Sequence, residues 1–435
     1  MSGKFNKMTV LIVAIAVLGF VVFFCCKNYV VNNKIKSDDK SDINYSSESV
    51  SADNTNTADN VSEESTETIT EVFAENESVD EARAYADEML THMTIHEKIC
   101  QMFIISPEAA TNYDVVTYAG ETLRLSLVEY PVCGYIFFSR NLKSIEQTES
   151  MIENLKQYGM EANGIPLFIG VDEEGGDVAR CAFKLGTTSF SPMYYYHSDG
   201  EKTAYENAYI IASDISELGF NLDFAPVADT WSDISNTVIG TRAYSSDYNE
   251  AAELVAAATK GFDDGGVVNC LKHFPGYGDT MEDSHKMAAY LSKSLEDMAG
   301  EDYIPFEYGI NAGADMIMIG HLYLSDEDIV SESDKNPASL NYKVISEELR
   351  GKLGFNGVVI TDALNMGAVS NYYTSGEAVK LSVKAGADIM LMPVDFKSAV
   401  AALEEAVENG EISEERIDES VRRILMLKYN KLIIK

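Results

Sequence analysis

The stretch with the densest set of titratable side chains covers residues 272–285 and reads KHFPGYGDTMEDSH. It contains two histidines and three carboxylates, and its proline and glycines predict a loop rather than a helix. Within it, Asp283 precedes His285 by two residues. A carboxylate beside a histidine can fix its tautomer and raise its basicity, which is the arrangement of a proton shuttle. A surface histidine in a flexible loop is the alternative that this stretch alone leaves open.

A second candidate for chemistry is Asp362, which directly follows the apolar run GVVIT. A carboxylate at the end of a buried strand is costly unless it is hydrogen-bonded or used in a reaction. We therefore expect Asp362 to act as a nucleophile or general base, with an N-cap for the following segment as the structural alternative. A carboxylate opposite a histidine suits acetal hydrolysis, in which one group attacks the anomeric carbon and another protonates the leaving oxygen.

Five further polar residues are candidates for binding a substrate near these two. Lys272 and His273 end the apolar run before the loop, where their donors would point into a site, although His273 could instead be satisfied within the core. Asp172 ends another apolar run, and two glycines after it let the backbone pass close to a ligand, so that a turn could return Arg180 over the site. Arg242 follows a long loop and could clamp a polar substrate group or lie on the surface.

The sequence motifs of the common cofactors are missing. No GxGxxG follows a first strand, and GxxxxGK[ST], HExxH, GxSxG and paired CxxC motifs do not occur. The acidic residues Glu173, Glu174 and Asp177 could suggest a cation site, but they lack the regular spacing of metal ligands. We therefore predict a site that uses neither a metal nor an organic cofactor.

Apolar runs of five to eight residues alternate with longer amphipathic stretches from about residue 80 onward. Continuous apolar runs are typical of strands that are covered on both faces, and hence of parallel strands. The eight runs are QMFII from Gln101, GYIFF from Gly134, PLFIGVD from Pro166, LDFAPVAD from Leu222, VVNCLKH from Val267, MIMIGH from Met316, GVVITDA from Gly357 and IMLMPV from Ile389. Helices are predicted over 80–90, 144–158, 202–218, 249–263, 297–312, 343–352, 376–385, 396–409 and 417–432.

Eight strand–helix units predict an α/β protein of the (β/α)8 TIM-barrel type, with a doubly wound open sheet as the alternative. Five of the eight runs finish on polar residues, namely Asp172, Asp229, Lys272 with His273, His321 and Asp362. A barrel places the C-terminal ends of its strands on one face, so that residues far apart in sequence meet there. An open sheet would spread the same residues along a line.

The first 80 residues differ in composition from the rest of the chain. Residues 8–26 form an apolar run flanked by lysines, which is long enough to cross a membrane as a helix. The residues before Cys25 are too large for a cleavage site or a lipoprotein cysteine, so we expect an uncleaved anchor rather than a cleaved signal peptide. We predict a transmembrane anchor over 1–36, a disordered acidic linker over 37–80 and a globular domain over 81–435. The domain would lie outside the cell membrane.

The formal net charge of −37 argues against nucleic acid as a partner, because a phosphate backbone requires basic patches and none stands out. The six cysteines lack ligand spacing, so small buried thiols are favoured over disulfides or zinc. Neither feature predicts the number of subunits.

Six motifs occur in an order that resembles glycoside hydrolase family 3, in particular its single-domain β-N-acetylhexosaminidase branch. They are MTIHEKICQMFI, IGVDEEGGDVAR, NLDFAPVADTW, VIGTRAY, LKHFPGYGDTMEDSH and VVITDALNM. The resemblance covers residues 87–432, and its most specific parts are the loop ending in DSH and the TDAL strand end.

The resemblance implies a retaining glycosidase, with an oligosaccharide containing N-acetylglucosamine as substrate. Peptidoglycan fragments or chitin-type oligosaccharides are the expected sources. Asp362 matches the family's nucleophile, and His285 matches its general acid/base with Asp283 as partner. Five residues match positions that bind the N-acetylglucosamine ring and its N-acetyl group, namely Asp172, Arg180, Arg242, Lys272 and His273.

Two positions depart from the family pattern, because Asp177 stands where Arg or Lys is usual and Tyr277 where His is usual. Both could alter the subsite beyond the N-acetylglucosamine. The family also contains β-glucosidases, which typically have a second domain that supplies a glutamic acid, and some relatives are phosphorylases. The DSH loop and the predicted end of the chain after one domain favour the hexosaminidase branch. A sugar-binding protein without activity is the remaining alternative, and the intact Asp362, Asp283 and His285 argue against it.

Overall fold

The structure, a computed structural model, describes residues 79–280 and 283–434. The predicted anchor over 1–36 and nearly all of the predicted linker over 37–80 lie outside these residues. Among the helices in the described ranges, none is both long and apolar enough to span a bilayer.

Each of the eight apolar runs predicted as strands contains a strand, and these predictions are confirmed. Four short strands were not predicted. In chain order the strands are β1 Phe103–Ile105, β2 Gly134–Phe137, β3 Phe168–Val171, β4 Glu173–Gly175, β5 Val178–Ala179, β6 Leu222–Asp223, β7 Cys270–Phe274, β8 Ala289–Tyr290, β9 Met316–Ile319, β10 Leu322–Tyr323, β11 Val358–Thr361 and β12 Met390–Leu391.

The predicted strands pair in parallel in two sheets. One sheet has the order β12-β1-β2-β3-β6 and the other has the order β11-β9-β7. Isolated parallel bridges join the second sheet to both edges of the first. Leu222 pairs with Val268 and Val227 with Lys272 on one side, and Ile360 pairs with Ile389 on the other. The carboxyl ends of these strands therefore lie on one side, as the positions of the polar strand ends require.

Helices follow most of the strands and cover them. In chain order they are α1 (79–92), α2 Ile95–Cys100, α3 Pro107–Thr111, α4 Glu121–Glu129, α5 Ile145–Asn163, α6 Arg180–Leu185, α7 Glu201–Glu217, α8 Tyr248–Asp264, α9 Leu295–Ala299, α10 Tyr303–Asn311, α11 Gly367–Ser370, α12 Ser375–Ala385, α13 Phe396–Glu408 and α14 Glu414–Lys428. Residues Lys343–Lys352 form a π-helix.

The prediction of one helix over 297–312 is wrong, because α9 and α10 are separate there. Gly300 ends α9, and the buried Asp302 then accepts a hydrogen bond from Lys293 Nζ at 2.9 Å. Periodicity alone does not reveal this break, since apolar residues continue on both sides of it.

The strands are buried on both faces, as their continuous apolar runs predict. In β9, Met316 and Met318 belong to one buried apolar cluster, while Ile317 and Ile319 belong to the other. The first cluster lies among the strands and the second also includes the inner faces of the helices. Four cysteines are free and buried, which confirms the prediction of buried thiols for Cys100, Cys133, Cys181 and Cys270.

Candidate active site

The carboxyl ends of the strands border a cavity of about 540 Å³. Every predicted site residue except Asp283 lines it, and Asp283 is hydrogen-bonded to one that does. The polar lining comprises Arg140, Asp172, Glu174, Arg180, Arg242, Lys272, His273, His285, Asp362 and Asn365. Apolar side chains such as Met318 and Met392 complete the wall.

Asp362 directly follows β11, and its backbone N–H donates to the carbonyl of Ile319 at 2.8 Å. Its Oδ1 accepts from the N–H of Ala363 at 2.7 Å. Helix α11 begins only at Gly367, with Met366 as the N-cap. The alternative that Asp362 serves as a helix N-cap is therefore wrong, and the carboxylate faces the cavity.

Burial raises the pKa of Asp362, but His321, His273, the Ala363 N–H and His285 outweigh it, so that the pKa lies below its usual value. The carboxylate is therefore the favoured form. His321 is itself buried, and burial lowers its pKa. Its Nε2 lies 3.0 Å from the Ala363 carbonyl, which can only accept, so Nε2 carries a hydrogen.

His285 is paired with Asp283 as predicted. Its Nδ1 lies 2.9 Å from Asp283 Oδ1, and its backbone N–H donates to the same oxygen at 3.0 Å. Because a carboxylate accepts, Nδ1 carries a hydrogen, and Nε2 is left for a substrate. Burial alone would raise the pKa of Asp283, but its hydrogen bonds with Lys286 and His285 have the larger effect. The pKa therefore lies below its usual value, which keeps Asp283 ionised. The His285 side chain is 64% exposed, so it lies at the mouth of the cavity.

The backbone that carries His285 is held from two sides. The Tyr277 hydroxyl accepts from the N–H of the buried Ser284 at 2.8 Å. The N–H groups of Gly367 and Ala368 donate to the carbonyls of His285 and Ser284, both at 3.1 Å. The two loops that present Asp362 and His285 are thus bonded directly to each other.

The inner wall of the cavity carries a group of paired charges. The buried Lys272 places its Nζ 3.0 Å from Asp172 Oδ1 and 2.6 Å from Glu174 Oε1. Arg242 contacts both oxygens of Glu174, at 2.9 and 2.8 Å. Arg180 lies 3.9 Å from Asp172 Oδ2. Arg242 is therefore not a surface residue, and the alternative that placed it on the surface is wrong.

These groups remain charged although they are buried. Burial raises the pKa of Glu174, but Arg242 and Lys272 outweigh it and bring the pKa well below its usual value. Burial alone would lower the pKa of Lys272, but the negative charges of Glu174 and Asp172 have the larger effect and raise the pKa above its usual value. A buried charge without such partners would cost several kcal/mol.

Glu174 was not among the predicted site residues. The sequence pattern that could have identified it is the alternation of side chains in an extended chain. This alternation places Asp172 and Glu174 on one face and Glu173 on the other. Glu173 accordingly points away and accepts the N–H groups of Cys181 and Ala182, at 2.6 and 2.9 Å. Burial raises the pKa of Glu173 to about 7.

The turn between β4 and β5 returns the chain toward the cavity, as the glycines predict. Gly175 and Gly176 have φ angles of 90° and 57°, which residues other than glycine rarely adopt. A Cβ on Gly176 would lie 2.4 Å from Pro192 Cα. This tight turn allows Arg180 to face Asp172.

His273 is oriented by Asp229, a residue that sequence reasoning placed at a strand end without a role. The His273 Nδ1 lies 2.7 Å from Asp229 Oδ2, and the other oxygen accepts from the Tyr277 N–H at 2.7 Å. The ring is thus satisfied on one side and faces the cavity on the other. His273 is therefore hydrogen-bonded within the protein through Nδ1, and its ring also lines the cavity.

The chain belongs to glycosyl hydrolase family 3. Residues 94–427 match the model of the glycosyl hydrolase family 3 N terminal domain, which confirms the resemblance carried by the motifs.

Particular relatives carry names that point to hexosaminidases. The chain is 33% identical over 319 residues to beta-hexosaminidase A of Pseudoalteromonas piscicida, covering 69% of this chain and 53% of the relative. It is 34% identical over 289 residues to a beta-hexosaminidase of Xylella fastidiosa strain 9a5c, covering 64% of this chain and 82% of the relative. The chain thus spans about half the length of the first.

Among solved structures, the chain resembles a glycoside hydrolase family 3 beta-N-acetylglucosaminidase from Paenibacillus sp. str. FPU-7. The TM-score is 0.73 at 37% identity, over 79% of this chain and 64% of that chain.

Proposed function

We propose that this protein is a retaining exo-β-N-acetylglucosaminidase. It would release terminal β-linked N-acetylglucosamine from peptidoglycan fragments or chito-oligosaccharides. The observation that carries the proposal is that Asp362 and His285, with Asp283 behind the histidine, border one cavity. The names of the relatives support the choice of sugar.

The scaffold of this site is, in the same proposal, a closed (β/α)8 barrel. The parallel pairing of β12-β1-β2-β3-β6 and of β11-β9-β7, with bridges at both junctions, supports closure. An open sheet would leave two unbridged edges. The barrel also accounts for residues from β3, β7 and β11 around one cavity.

In the first step the Asp362 carboxylate attacks the anomeric carbon and forms a glycosyl ester. The bond from that carbon to the leaving oxygen breaks, and His285 Nε2 gives its proton to that oxygen. Asp283 holds the Nδ1 hydrogen and stabilises the charged ring before transfer. The low pKa of Asp362 keeps the nucleophile ionised.

In the second step water attacks the same carbon while His285 Nε2 takes its proton. The ester bond to Asp362 breaks, and the sugar leaves with the configuration it had in the substrate. Two inversions at one carbon give net retention.

The charged wall binds the sugar in this scheme. Arg180, Arg242, Lys272 and His273 offer donors for ring hydroxyls and the N-acetyl carbonyl, and Asp172 offers an acceptor. Their mutual pairing fixes these side chains before the substrate arrives, which reduces the entropy lost on binding.

The test is the release of aryl alcohol from an aryl β-N-acetylglucosaminide by the parent and by Asp362→Asn. We expect the variant to lose nearly all turnover, because an amide cannot form the ester. Mass spectrometry with a slowly turned-over fluorosugar should show a glycosyl adduct on the peptide containing Asp362. Full activity of Asp362→Asn would refute the assignment.

Phosphorolysis is a second candidate, favoured by the acid/base being a histidine. A neutral imidazole repels an anionic nucleophile less than a carboxylate does. Assays with and without phosphate distinguish the two, since phosphorolysis yields the sugar 1-phosphate and hydrolysis does not.

For location, we propose that the N-terminal apolar run anchors the domain at the outer face of the cell membrane. The apolar run of residues 8–26, which is long enough to cross a membrane as a helix, supports the anchor. Cleavage of the domain by protease added to intact cells tests it, and a fully protected domain would contradict it.

A further inference from the structure

The surface beside the cavity mouth carries a row of tyrosines that the proposed chemistry does not use. The ring centroids of Tyr290 and Tyr323 are 5.3 Å apart, and those of Tyr323 and Tyr372 are 6.5 Å apart. Tyr290 is 55% and Tyr372 is 59% exposed. We name these three residues the tyrosine surface. Clustered exposed aromatic rings on a protein of this size commonly mark a binding site.

The tyrosine surface is held in place by the fold. Tyr290 belongs to β8 and Tyr323 to β10, and these short strands pair with the two residues in register. The Tyr323 hydroxyl donates to the Ala368 carbonyl at 2.9 Å. The row therefore draws on the segments that follow β7, β9 and β11, so it lies on the same side of the strands as the cavity. A fixed ring loses little conformational entropy when it binds a ligand.

The row is continuous with the His285 side of the cavity. Ala368, which accepts the bond from Tyr323, also donates to Ser284, the neighbour of His285. Asn371, the neighbour of Tyr372, donates through Nδ2 to the Lys286 carbonyl at 3.3 Å. Because His285 protonates the leaving oxygen in the proposed reaction, the tyrosine surface borders the leaving-group side.

We infer that the tyrosine surface binds the saccharide chain on the leaving-group side of the cleaved bond. The enzyme would therefore prefer longer β-linked N-acetylglucosamine oligosaccharides to the disaccharide. This inference rests on the proposed function. Pyranose rings present apolar C–H faces that pack on aromatic rings, while their hydroxyls bond to the phenol groups. A neutral saccharide is also compatible with the net charge of −37, which disfavours acidic partners.

The experiment compares kcat/KM for the hexasaccharide and the disaccharide of β-1,4-linked N-acetylglucosamine, using the full chain. We expect the parent to favour the hexasaccharide. Tyr372→Ala should lower the ratio of the two values about 3- to 10-fold, mainly through a higher KM for the hexasaccharide, as expected for one lost aromatic contact. Tyr372→Phe keeps the ring and should keep most of the ratio.

Tyr308→Ala is the matched control, because Tyr308 is an exposed tyrosine on the outer helix α10. It should leave the ratio at the parent value. A parent without length preference, or a Tyr372→Ala ratio equal to the parent's, would overturn the inference while leaving the proposed function intact. A parent inactive on both saccharides and on the aryl substrate would instead overturn the proposed function, and this inference with it.

Discussion

In the proposed reaction His285 protonates the leaving oxygen, and the chemical type of this residue fits the site. A carboxylic acid near the Asp362 carboxylate would face a like charge whenever it lost its proton, and each group would raise the pKa of the other. An imidazole is neutral after it gives up its proton, so it avoids this conflict. Asp283 is the only carboxylate bonded to the ring in the described part of the chain, and it is bonded at Nδ1, away from Nε2.

We predict that His285→Ala lowers kcat by about 10²–10⁴, the range for loss of a general acid. The loss should depend on the leaving group. Nitrophenolate is stable enough to leave without receiving a proton. The first step with a nitrophenyl substrate should therefore be slowed less than with an alkyl or sugar leaving group. The measurement is kcat/KM for a series of aryl and alkyl β-N-acetylglucosaminides, because kcat/KM reports the first step whereas kcat also contains the second step, in which His285 acts on every substrate alike.

An equal loss across that series would show that His285 does not protonate the leaving oxygen. His96→Ala provides a control, because His96 lies outside the cavity and bonds to Glu404 and the Glu129 carbonyl. It should leave the dependence on leaving group unchanged.

Sequence reasoning located the titratable residues of the cavity because each follows a buried apolar run or a glycine-rich turn. Lys272 and Asp362 are examples, since the strand before each one was visible as an unbroken apolar segment. It missed the pairing of Glu174 with Arg242, because that contact joins residues 68 positions apart. Local spacing carries no information on such a distant partner.

At the scale of elements, the loops that carry Asp362 and His285 are hydrogen-bonded to each other. The N–H groups at the start of α11 bond to the carbonyls of Ser284 and His285, and Tyr277 accepts from Ser284 on the other side. Motion of the His285 loop would therefore break bonds to the segment that begins with Asp362. We infer that Tyr277 is a positioning residue, because its hydroxyl holds the backbone next to His285.

We predict that Tyr277→Phe lowers kcat for poor leaving groups about 3- to 10-fold. The phenyl ring keeps the packing but leaves the buried Ser284 N–H without its acceptor, at a cost of roughly 1 kcal/mol. The effect should be smaller for nitrophenyl substrates, because the loop acts through His285.

Tyr303→Phe is a suitable control for that variant. Tyr303 is also buried, but its hydroxyl makes no hydrogen bond within residues 79–280 and 283–434, so its removal should not lower kcat. Equal losses with good and poor leaving groups in Tyr277→Phe would mean that the hydroxyl does not act through His285.

A strand could be predicted from the sequence where burial on two faces leaves a continuous apolar run. A boundary or a pairing that involves residues distant in the sequence could not. The strand ending at Thr361 was visible because all four of its residues are buried. The break between α9 and α10 lies beside a contact of Asp302 with Lys293, a residue that precedes α9. The pair β8–β10 joins residues more than 30 positions apart, and its two-residue strands leave no periodic signal.

At the scale of the whole molecule, α14 covers the amino ends of the strands, opposite the cavity. Arg423 donates to the buried Asp388, two residues before β12, at 3.1 Å. Lys428 donates to the buried Gln101, two residues before β1, at 2.9 Å. The last α-helix of the described chain thus ties the first and last strands together, which is why its loss should affect the entire domain.

Lys428 makes the stability of this contact between α14 and the strands depend on pH. Its ammonium is fully buried, and burial lowers its pKa to about 8 from an ordinary 10.5. Below pH 8 both the folded and the unfolded chain carry this proton, and the folded state bears the cost of the buried charge. Between pH 8 and 10.5 only the unfolded chain holds the proton, so this group makes the protein more stable as pH rises. The full span corresponds to roughly 3 kcal/mol.

We therefore predict that Lys428→Met differs from the parent in a way that changes with pH. Relative to the variant, the parent should gain up to roughly 3 kcal/mol in the free energy of unfolding from neutral to strongly alkaline pH. Denaturant unfolding of both proteins at several pH values measures this, and other titrating groups cancel in the difference. Lys202→Met, at a highly exposed lysine, should show no such trend. A parent–variant difference that stays constant through this range would show that Lys428 is protonated in the fold throughout, and that its partners Gln101 and Phe168 compensate for its burial.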